Sequence, residues 1–309
     1  MPGDTQRAGD SLSGGPGNDW LNPGHDPRRT RGSAAEDHEV VTYKAAGPVR
    51  VDLGTGPTLG TVTGEGVDTI VLSPTRLRII GSQHSDTFLG SFRPDWFDGQ
   101  GGSDVIDGRG GDDHLLADGG DRPTPGDDRV AGGDGDDFLQ SHDGRDRLIG
   151  GPGADQLRTT SRGATRLLGG AGPDRLRSDL NAAGQRIAGG PGADVLLVDQ
   201  FGVRETTIDQ HKGIYRASKQ RESVRGRIDG ITEFELGFGR YRFLGSGRDE
   251  IVRALRSRGL TANGRGGDDV LTGSRKRADV LDGGGGNDRL DGDPHEDVCV
   301  DGERGSCVP

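Results

Sequence analysis

Aspartates recur every nine residues along much of this chain, and their carboxylates are the side chains best placed to do chemistry. Three runs keep this spacing: Asp86, Asp95, Asp104 and Asp113; Asp128, Asp137, Asp146 and Asp155; and Asp279, Asp288 and Asp297. Regularly spaced carboxylates suit hard divalent cations, and calcium in particular takes many oxygen ligands in a flexible geometry. The spacing therefore indicates that the protein binds cations.

Each of these aspartates is the sixth residue of a nine-residue block whose first half is rich in glycine. Six blocks carry the complete pattern Gly-Gly-x-Gly-x-Asp-x-Leu-x, namely residues 14–22, 132–140, 150–158, 169–177, 189–197 and 283–291. Glycine tolerates a positive φ and a close backbone approach, so the first six residues predict a tight turn with inward-pointing carbonyl groups. The last three residues suit a short strand that places leucine on one face.

Alternating turns and short strands predict how the chain is built. Two blocks would make one coil of 18 residues, and coils stacked about 4.8 Å apart would form a narrow parallel β-solenoid with turns along two edges. Stacking also places the carboxylates in columns, where neighbours repel by roughly 1 kcal/mol in water and about 3 kcal/mol when partly buried. A cation held by carboxylates and turn carbonyls would remove this repulsion, and flexible oxygen cages select Ca2+.

These blocks resemble the hemolysin-type calcium-binding repeats of secreted RTX proteins, which share this nonapeptide. The resemblance is specific in the six complete blocks and looser over about half of the chain. It implies an all-β fold, a right-handed parallel β-roll or β-solenoid of stacked nonapeptide repeats with irregular strand-rich spacer coils, and bound Ca2+. A flexible glycine-rich linker, the alternative, does not require leucine at a fixed place.

The repeats and the stretches between them suggest six segments. We expect a partial repeat segment at 1–31, a strand-rich spacer at 32–80, the main repeat block at 81–197, a spacer or loop at 198–243, a second repeat block at 244–300 and a cysteine-containing cap at 301–309. The spacers contain alternating β-type segments and are expected to form irregular coils without metal, with a separate small domain as the other option.

The register of the repeats predicts which residues bind the ions. Between residues 123 and 197, Asp137, Asp155, Asp174 and Asp194 share one edge and have complete turns, whereas the other edge carries insertions and holds Asp128, Asp146, Thr165 and Gln185. We therefore predict a one-sided ladder of Ca2+ between successive aspartates of the first edge. The predicted ligands are Asp137, Asp155, Asp174 and Asp194 with Gly133, Gly135, Gly151, Gly153, Gly170, Gly172, Gly190 and Gly192 of their turns, and Asp19, Asp104, Asp113, Asp269 and Asp288 of other blocks.

Downstream, the same spacing predicts two further columns. Asp249, Asp269 and Asp288 are expected on one edge, with Arg258, Asp279 and Asp297 on the other. The turn Ser-Arg-Lys-Arg-Ala-Asp at 274–279 brings three cationic side chains beside its aspartate, so we expect it to hold no metal.

Composition excludes several classes of partner. The net charge of −11 argues against a nucleic acid, which usually requires a basic surface. Aromatic residues make up 4% of the chain and no long apolar run occurs, so we expect no membrane span. The sequence around Ser11 matches the Gly-Asp-Ser-Leu of a lipase family, but it falls on repeat positions and no region offers an α/β domain to hold it. We therefore expect no enzymatic activity.

The two ends of the chain bear on its setting. A repeat is already in progress near Met1 without a signal peptide, so we expect a fragment or a start further upstream, with a leaderless intracellular protein as the alternative. Near the other end, Cys299 and Cys307 could close a short loop as a disulfide or remain two free thiols. Similar cysteine-bearing tails in secreted RTX-like chains favour the disulfide and an oxidising, extracellular setting.

The function predicted is extracellular binding of Ca2+ by a non-enzymatic module whose folding is coupled to the ion. Two other functions remain open at this point. One is the C-terminal repeat part of a secreted enzyme such as a protease or lipase. The other is an adhesion element in contact with a cell surface or matrix, for which the sequence identifies no ligand contacts.

Overall fold

A computed structural model gives the fold for most of the chain. It describes residues 11–13, 20–21, 39–43, 47–54, 59–64, 67–71, 77–119, 125–160, 163–199, 203–219, 222–275, 277–292 and 297–302. In these residues every helix-or-strand element is a β-strand, and none of them forms a helix that could cross a membrane. The chain divides into two compact units, Met1–Asp155 and Gln156–Pro309.

In the first unit the strands of two sheets alternate along the repeats. Sheet A contains, in order, β1 (Ser11–Ser13), β3 (Glu39–Thr42), β7 (Leu77–Ile80), β9 (Trp96–Asp98), β11 (His114–Leu116) and β13 (Phe138–Ser141), all parallel. Sheet B contains β2 (Trp20–Leu21), β6 (Val67–Val71), β5 (Leu59–Thr63), β4 (Arg50–Asp52), β8 (Thr87–Leu89), β10 (Val105–Gly110), β12 (Arg129–Asp134) and β14 (Arg147–Pro152).

The second unit has the same plan. Sheet C is parallel and contains β15 (Gln156–Thr159), β17 (Arg175–Ser178), β19 (Val195–Val198), β23 (Glu233–Leu236), β25 (Ile251–Ala254), β27 (Val270–Thr272) and β29 (Arg289–Asp291). Sheet D contains β16 (Arg166–Ala171), β18 (Arg186–Ala188), β22 (Ser223–Asp229), β21 (Ile214–Ser218), β20 (Glu205–Asp209), β24 (Tyr241–Leu244), β26 (Leu260–Asn263), β28 (Val280–Asp282) and β30 (Val298–Val300).

The core of each unit is built from one apolar side chain per short strand. The middle residue of the repeat strands is buried, as the fixed leucine position predicts, because neighbouring residues of a strand face opposite sides of the sheet. In the first unit these residues are Phe88, Phe97, Ile106, Leu115, Val130, Leu139 and Leu148. The rings of Phe88 and Phe97, from sheets B and A, stack with their centres 5.0 Å apart.

The spacers extend the sheets by antiparallel strands. β4, β5 and β6 pair antiparallel in sheet B, and β20, β21 and β22 do so in sheet D. The outer strands of each set return to parallel pairing, since β4 pairs with β8 and β22 with β18. The predicted all-β solenoid of stacked repeats with strand-rich spacer coils is thus confirmed.

Candidate metal centres

The parallel register stacks the position-six aspartates of the first unit into two columns. Column A consists of Asp95, Asp113, Asp137 and Asp155, and column B consists of Asp86, Asp104, Asp128 and Asp146. In both columns each aspartate, from the second onward, accepts through Oδ1 a hydrogen bond from the backbone amide of the aspartate one coil earlier. The N···O distances are 2.8, 2.8 and 2.9 Å in column A and 2.8, 2.8 and 3.2 Å in column B.

The second oxygen of many of these carboxylates has a different environment. Oδ2 is buried and accepts no hydrogen bond in one group of described aspartates, which are Asp104, Asp113, Asp128, Asp137, Asp146, Asp194, Asp269 and Asp288. Buried polar oxygens in folded proteins are nearly always paired, because leaving one without a partner costs free energy. A bound cation supplies the missing partner, so the residues present fit Ca2+.

Burial also perturbs the charge of these groups. The pKa of Asp113 is raised to about 9 and that of Asp104 to about 8, mainly by loss of solvent and in part by repulsion from neighbouring carboxylates. Burial likewise raises the pKa of Asp128 and Asp269 to about 7. A divalent cation would favour the ionised carboxylates and offset these shifts.

In the open turns, glycine at position one allows oxygens from two coils to converge. A Cβ on Gly108 would lie 2.0 Å from Oδ2 of Asp113 and 2.5 Å from the carbonyl oxygen of Gly132, one coil further on. The equivalent oxygens surround Gly264 in the second unit. A Cβ on Gly264 would lie 2.0 Å from Oδ2 of Asp269 and 2.5 Å from the carbonyl oxygen of Gly283. A carboxylate and a turn carbonyl therefore approach each other where no side chain fits.

Position two of the turn separates two kinds of turn. In an open turn, position two has a positive φ and Oδ2 of the aspartate has no hydrogen-bond partner. Described examples have position-two residues Gln100 (φ 77°), Arg109 (70°), Gly133 (113°), Gly190 (122°), Arg265 (73°) and Gly284 (92°). This conformation suits glycine and is uncommon for other residues.

In a capped turn, position two is serine and satisfies the carboxylate from within the same turn. Ser82 and Ser91 donate their amides to Oδ2 of Asp86 and Asp95, both at 2.7 Å, and their hydroxyls bond the same carboxylates. Such local side-chain and backbone bonds are typical of serine in turns. Ser246 makes the same contacts with Glu250, and Ser274, which lies one residue further from its aspartate, donates its amide and hydroxyl to Asp279. The Gly-Ser dipeptides that precede these turns are a sequence signal that the repeat analysis missed.

In the second unit the predicted aspartates also stack. The Asp174 amide donates to Asp194 Oδ1 at 2.9 Å, and the Asp269 amide donates to Asp288 Oδ1 at 2.9 Å. On the opposite edge, Gln185 Oε1 accepts a hydrogen bond of 2.9 Å from the Tyr215 hydroxyl, which comes from the antiparallel spacer. The side-chain oxygen of Gln185 therefore already has a hydrogen-bond donor from the protein.

The downstream register predicted from sequence was wrong by one or two residues. Glu250, and not Asp249, precedes a strand of sheet C and donates its amide to Asp269 Oδ1 at 2.8 Å. Asp249 lies one position earlier, and its Oδ1 accepts the amide of Asp268. The reason is that the turn runs from Gly245 to Glu250, with a glutamate at position six.

The opposite downstream column also differs from the prediction. Asp279 lies across from Leu260, whose amide donates to Asp279 Oδ1, so Arg258 is not its neighbour in the register. Oδ2 of Asp279 is bonded by Ser274, which makes this a capped turn. That the turn holds no metal stays a prediction.

Two predicted groups remain to be placed. Asp19 lies outside the described residues, as does Cys307, the predicted partner of Cys299, so the disulfide stays a prediction. The other predicted aspartates lie in the stacked columns, and the glycines of their turns, from Gly133 to Gly192, have positive φ. The one-sided ladder also stays a prediction. It placed no metal at Asp128 and Asp146 of column B, yet each of these residues has a buried oxygen without a hydrogen-bond partner.

Comparison with known proteins agrees with this geometry. The family described as the RTX calcium-binding nonapeptide repeat matches the chain in four copies, at residues 7–24, 89–121, 124–157 and 263–299. No curated protein matches the chain. The chain therefore carries RTX calcium-binding repeats, and Ca2+ is the ion expected in its turns.

Proposed function

We propose that this chain is an extracellular, non-enzymatic calcium-binding module that folds as Ca2+ binds. The observation that carries the proposal is the series of buried Oδ2 atoms without a hydrogen-bond partner in the open turns. RTX repeat proteins are typically secreted, which supports an extracellular setting. Extracellular calcium modules usually bind with dissociation constants of about 10⁻⁴–10⁻³ M. The chain would therefore be calcium-free inside the cell and would bind Ca2+ after export.

Coupling to folding follows from the energetics of the columns. Without a cation, each open turn buries a carboxylate that lacks a partner for one oxygen, and the columns place such groups next to one another. The unfolded chain keeps these carboxylates in water, so Ca2+ binds the folded state preferentially and stabilises it. A largely disordered chain in low calcium and a folded one in high calcium are the expected states.

Circular dichroism of the purified chain at neutral pH tests the coupling. We expect the β-sheet signal to be largely absent in EGTA and to return on addition of millimolar CaCl2, with equimolar MgCl2 far less effective. Mg2+ demands a tighter octahedral geometry and releases its water reluctantly. A β-sheet signal equally strong in EGTA would contradict the proposal.

The setting and the lack of catalysis need tests of their own. We expect the native protein in the culture medium and not in the cell lysate of its source. We also expect the calcium-loaded chain to hydrolyse neither casein nor short-chain esters above the rate of a Ser11→Ala variant. Hydrolysis that is lost in that variant would contradict the proposed lack of catalysis in this chain.

A further inference from the structure

We propose that Asp118, Asp128 and Asp146 form a calcium site in which Asp118, a residue outside the nonapeptide period, supplies a third carboxylate. The site belongs to column B, in which the repeat pattern had predicted Asp128 and Asp146 to be without metal. This inference rests on the proposed function, because it assigns a further site for the same ion. It does not follow from the repeat, in which each turn contributes one aspartate at position six.

The three carboxylates meet at one point of the first unit. One oxygen of Asp118, one of Asp128 and one of Asp146 all lie within 4.8 Å of one another. Two oxygens bound to one Ca2+ at 2.3–2.6 Å can be up to about 4.6–5.2 Å apart. The three oxygens are therefore close enough together to bind a single Ca2+.

One oxygen of each of these carboxylates has no hydrogen-bond partner among the described residues. Oδ1 of Asp118 and Oδ2 of both Asp128 and Asp146 are buried and accept no hydrogen bond from the described residues. The three residues are only 2%, 3% and 1% exposed, so water does not replace the missing donors from outside. Three buried carboxylates with one unpartnered oxygen each are what a cation site requires.

The remaining oxygens hold the carboxylates in place. Asp128 and Asp146 each use Oδ1 to accept a backbone amide of column B, at 2.8 and 3.2 Å. Asp118 uses Oδ2 to accept the amide of His142 at 2.9 Å, and its carbonyl oxygen lies 3.0 Å from Nδ1 of the same histidine. Each side chain is thus fixed by one oxygen and presents the other.

His142 explains why this turn differs from its neighbours. It occupies position two of the turn 141–146, where a serine would donate its amide to the turn's own aspartate. Here the amide bonds Asp118 instead, so Oδ2 of Asp146 remains without a partner. Asp118 enters from the end of β11, where the insertion that breaks the period begins.

The test compares Asp118→Asn with Asp143→Asn in the full chain. Asparagine keeps an oxygen for the His142 amide but removes the charge and the oxygen donor that face the proposed ion. Asp143 is an exposed carboxylate of the same turn, so its substitution removes the same charge without removing a ligand. Calcium binding is measured by isothermal titration calorimetry, with circular dichroism in saturating CaCl2 to verify folding.

We expect Asp118→Asn to bind one Ca2+ fewer than the wild type, or to bind one ion at least tenfold more weakly, and Asp143→Asn to match the wild type. The double variant Asp118→Asn/Asp128→Asn should lose no more ions than Asp128→Asn alone, because both residues serve one site. Unchanged stoichiometry and affinity in Asp118→Asn, or losses that add in the double variant, would overturn the site.

A second measurement decides the case if Asp118→Asn does not fold. Calcium-loaded crystals of the wild type should show anomalous density among the three oxygens. Density at Asp137 without density here would overturn this site and leave the proposed function intact. A wild type that binds no Ca2+ at all would instead refute the proposed function.

Discussion

Two successive turns of column A, in the first unit, share their first glycine and last aspartate, differ at position two among others, and differ in their need for a cation. In the turn 90–95, the amide and hydroxyl of Ser91 bond Oδ2 of Asp95 at 2.7 and 3.1 Å. In the turn 108–113, Arg109 has a φ of 70° and its amide lies 3.1 Å from Oδ1 of Asp107. Oδ2 of Asp113 is left without a hydrogen-bond partner.

The pKa values of the two aspartates reflect this difference. Burial is the main cause of the shift in both, but it raises the pKa of Asp95 only to about 6 and that of Asp113 to about 9. The bonds from Ser91 favour the ionised Asp95, whereas Asp113 has repelling carboxylates on either side of it. The comparison teaches that position two decides whether a turn satisfies its own carboxylate or depends on a cation.

The largest expected effect concerns pH in the absence of calcium. Carboxyl groups have a pKa near 3.8 in the unfolded chain, and in the fold burial raises the pKa of Asp137 to about 6, of Asp104 to about 8 and of Asp113 to about 9. Folding stability from these groups is therefore fully present below about pH 4 and is lost as the pH rises through 6 to 9.

Calcium-free, dialysed protein should accordingly show more β-sheet signal at pH 5 than at pH 8. In saturating CaCl2 the trend should reverse, because protons compete with the ion for the same oxygens. Circular dichroism across this range checks both. A calcium-free signal that grows steadily from pH 5 to pH 8 would contradict the role given to the open turns.

The second effect is steric. A Cβ on Gly132 would lie 2.0 Å from Oδ2 of Asp137, so Gly132→Ala should displace that carboxylate from its open position. We expect a loss of about 1–3 kcal/mol in calcium, the usual cost of overpacking a buried place. Gly110→Ala is the matched control, since its Cβ would meet nothing closer than 3.4 Å. Urea unfolding in CaCl2 measures both, and equal losses would count against the steric argument.

The third effect is the loss of one site by conversion of an open turn into a capped one. Arg109→Ser should let the turn adopt the conformation seen at Ser91 and bond Asp113 from within. We expect one Ca2+ fewer by calorimetry. Arg109→Gly removes the same side chain and its ion pair with Asp52 but retains the freedom to adopt positive φ, so it should keep the site. Equal calcium binding by the two variants would contradict the role given to position two of the turn.

The smallest effect is the reverse conversion. Ser91→Gly removes the hydroxyl and allows the amide to turn away, which leaves Oδ2 of Asp95 open as in the neighbouring turns. We expect one additional, weak Ca2+ in calorimetric titrations, and a fold that needs slightly more calcium to form. Ser218→Gly, at an exposed serine of β21 outside the turns, should change neither quantity.

The fold could be predicted from sequence because its signals are strictly periodic. Glycine, aspartate and leucine keep a fixed spacing, which predicts turn, column and core independently, and the structure agrees in the first unit and in the second. The register failed near Asp249 because a glutamate, Glu250, occupies position six there. With glutamate in place of aspartate at position six, the spacing of aspartates no longer shows the repeat, although the backbone retains the repeat geometry.

The candidate site was less accessible to such reasoning. Asp118 lies outside the period, so only the folded chain shows that it joins Asp128 and Asp146. The capping serines do have a sequence signal, a serine directly after the first glycine. Whether this residue bonds the aspartate of its own turn depends on the sign of its φ, which the spacing of residues alone does not predict.

The bonds that link one coil to the next also give the stack a direction. In both columns of the first unit the carboxylate acceptor belongs to the later coil and the amide donor to the earlier one, so these aspartate amides of one coil are bonded by residues that follow it in the sequence. A chain cut after Asp113 would leave that residue's own amide without the Asp137 carboxylate. Substitution of one of these aspartates therefore removes a hydrogen bond from the coil that precedes it in the sequence.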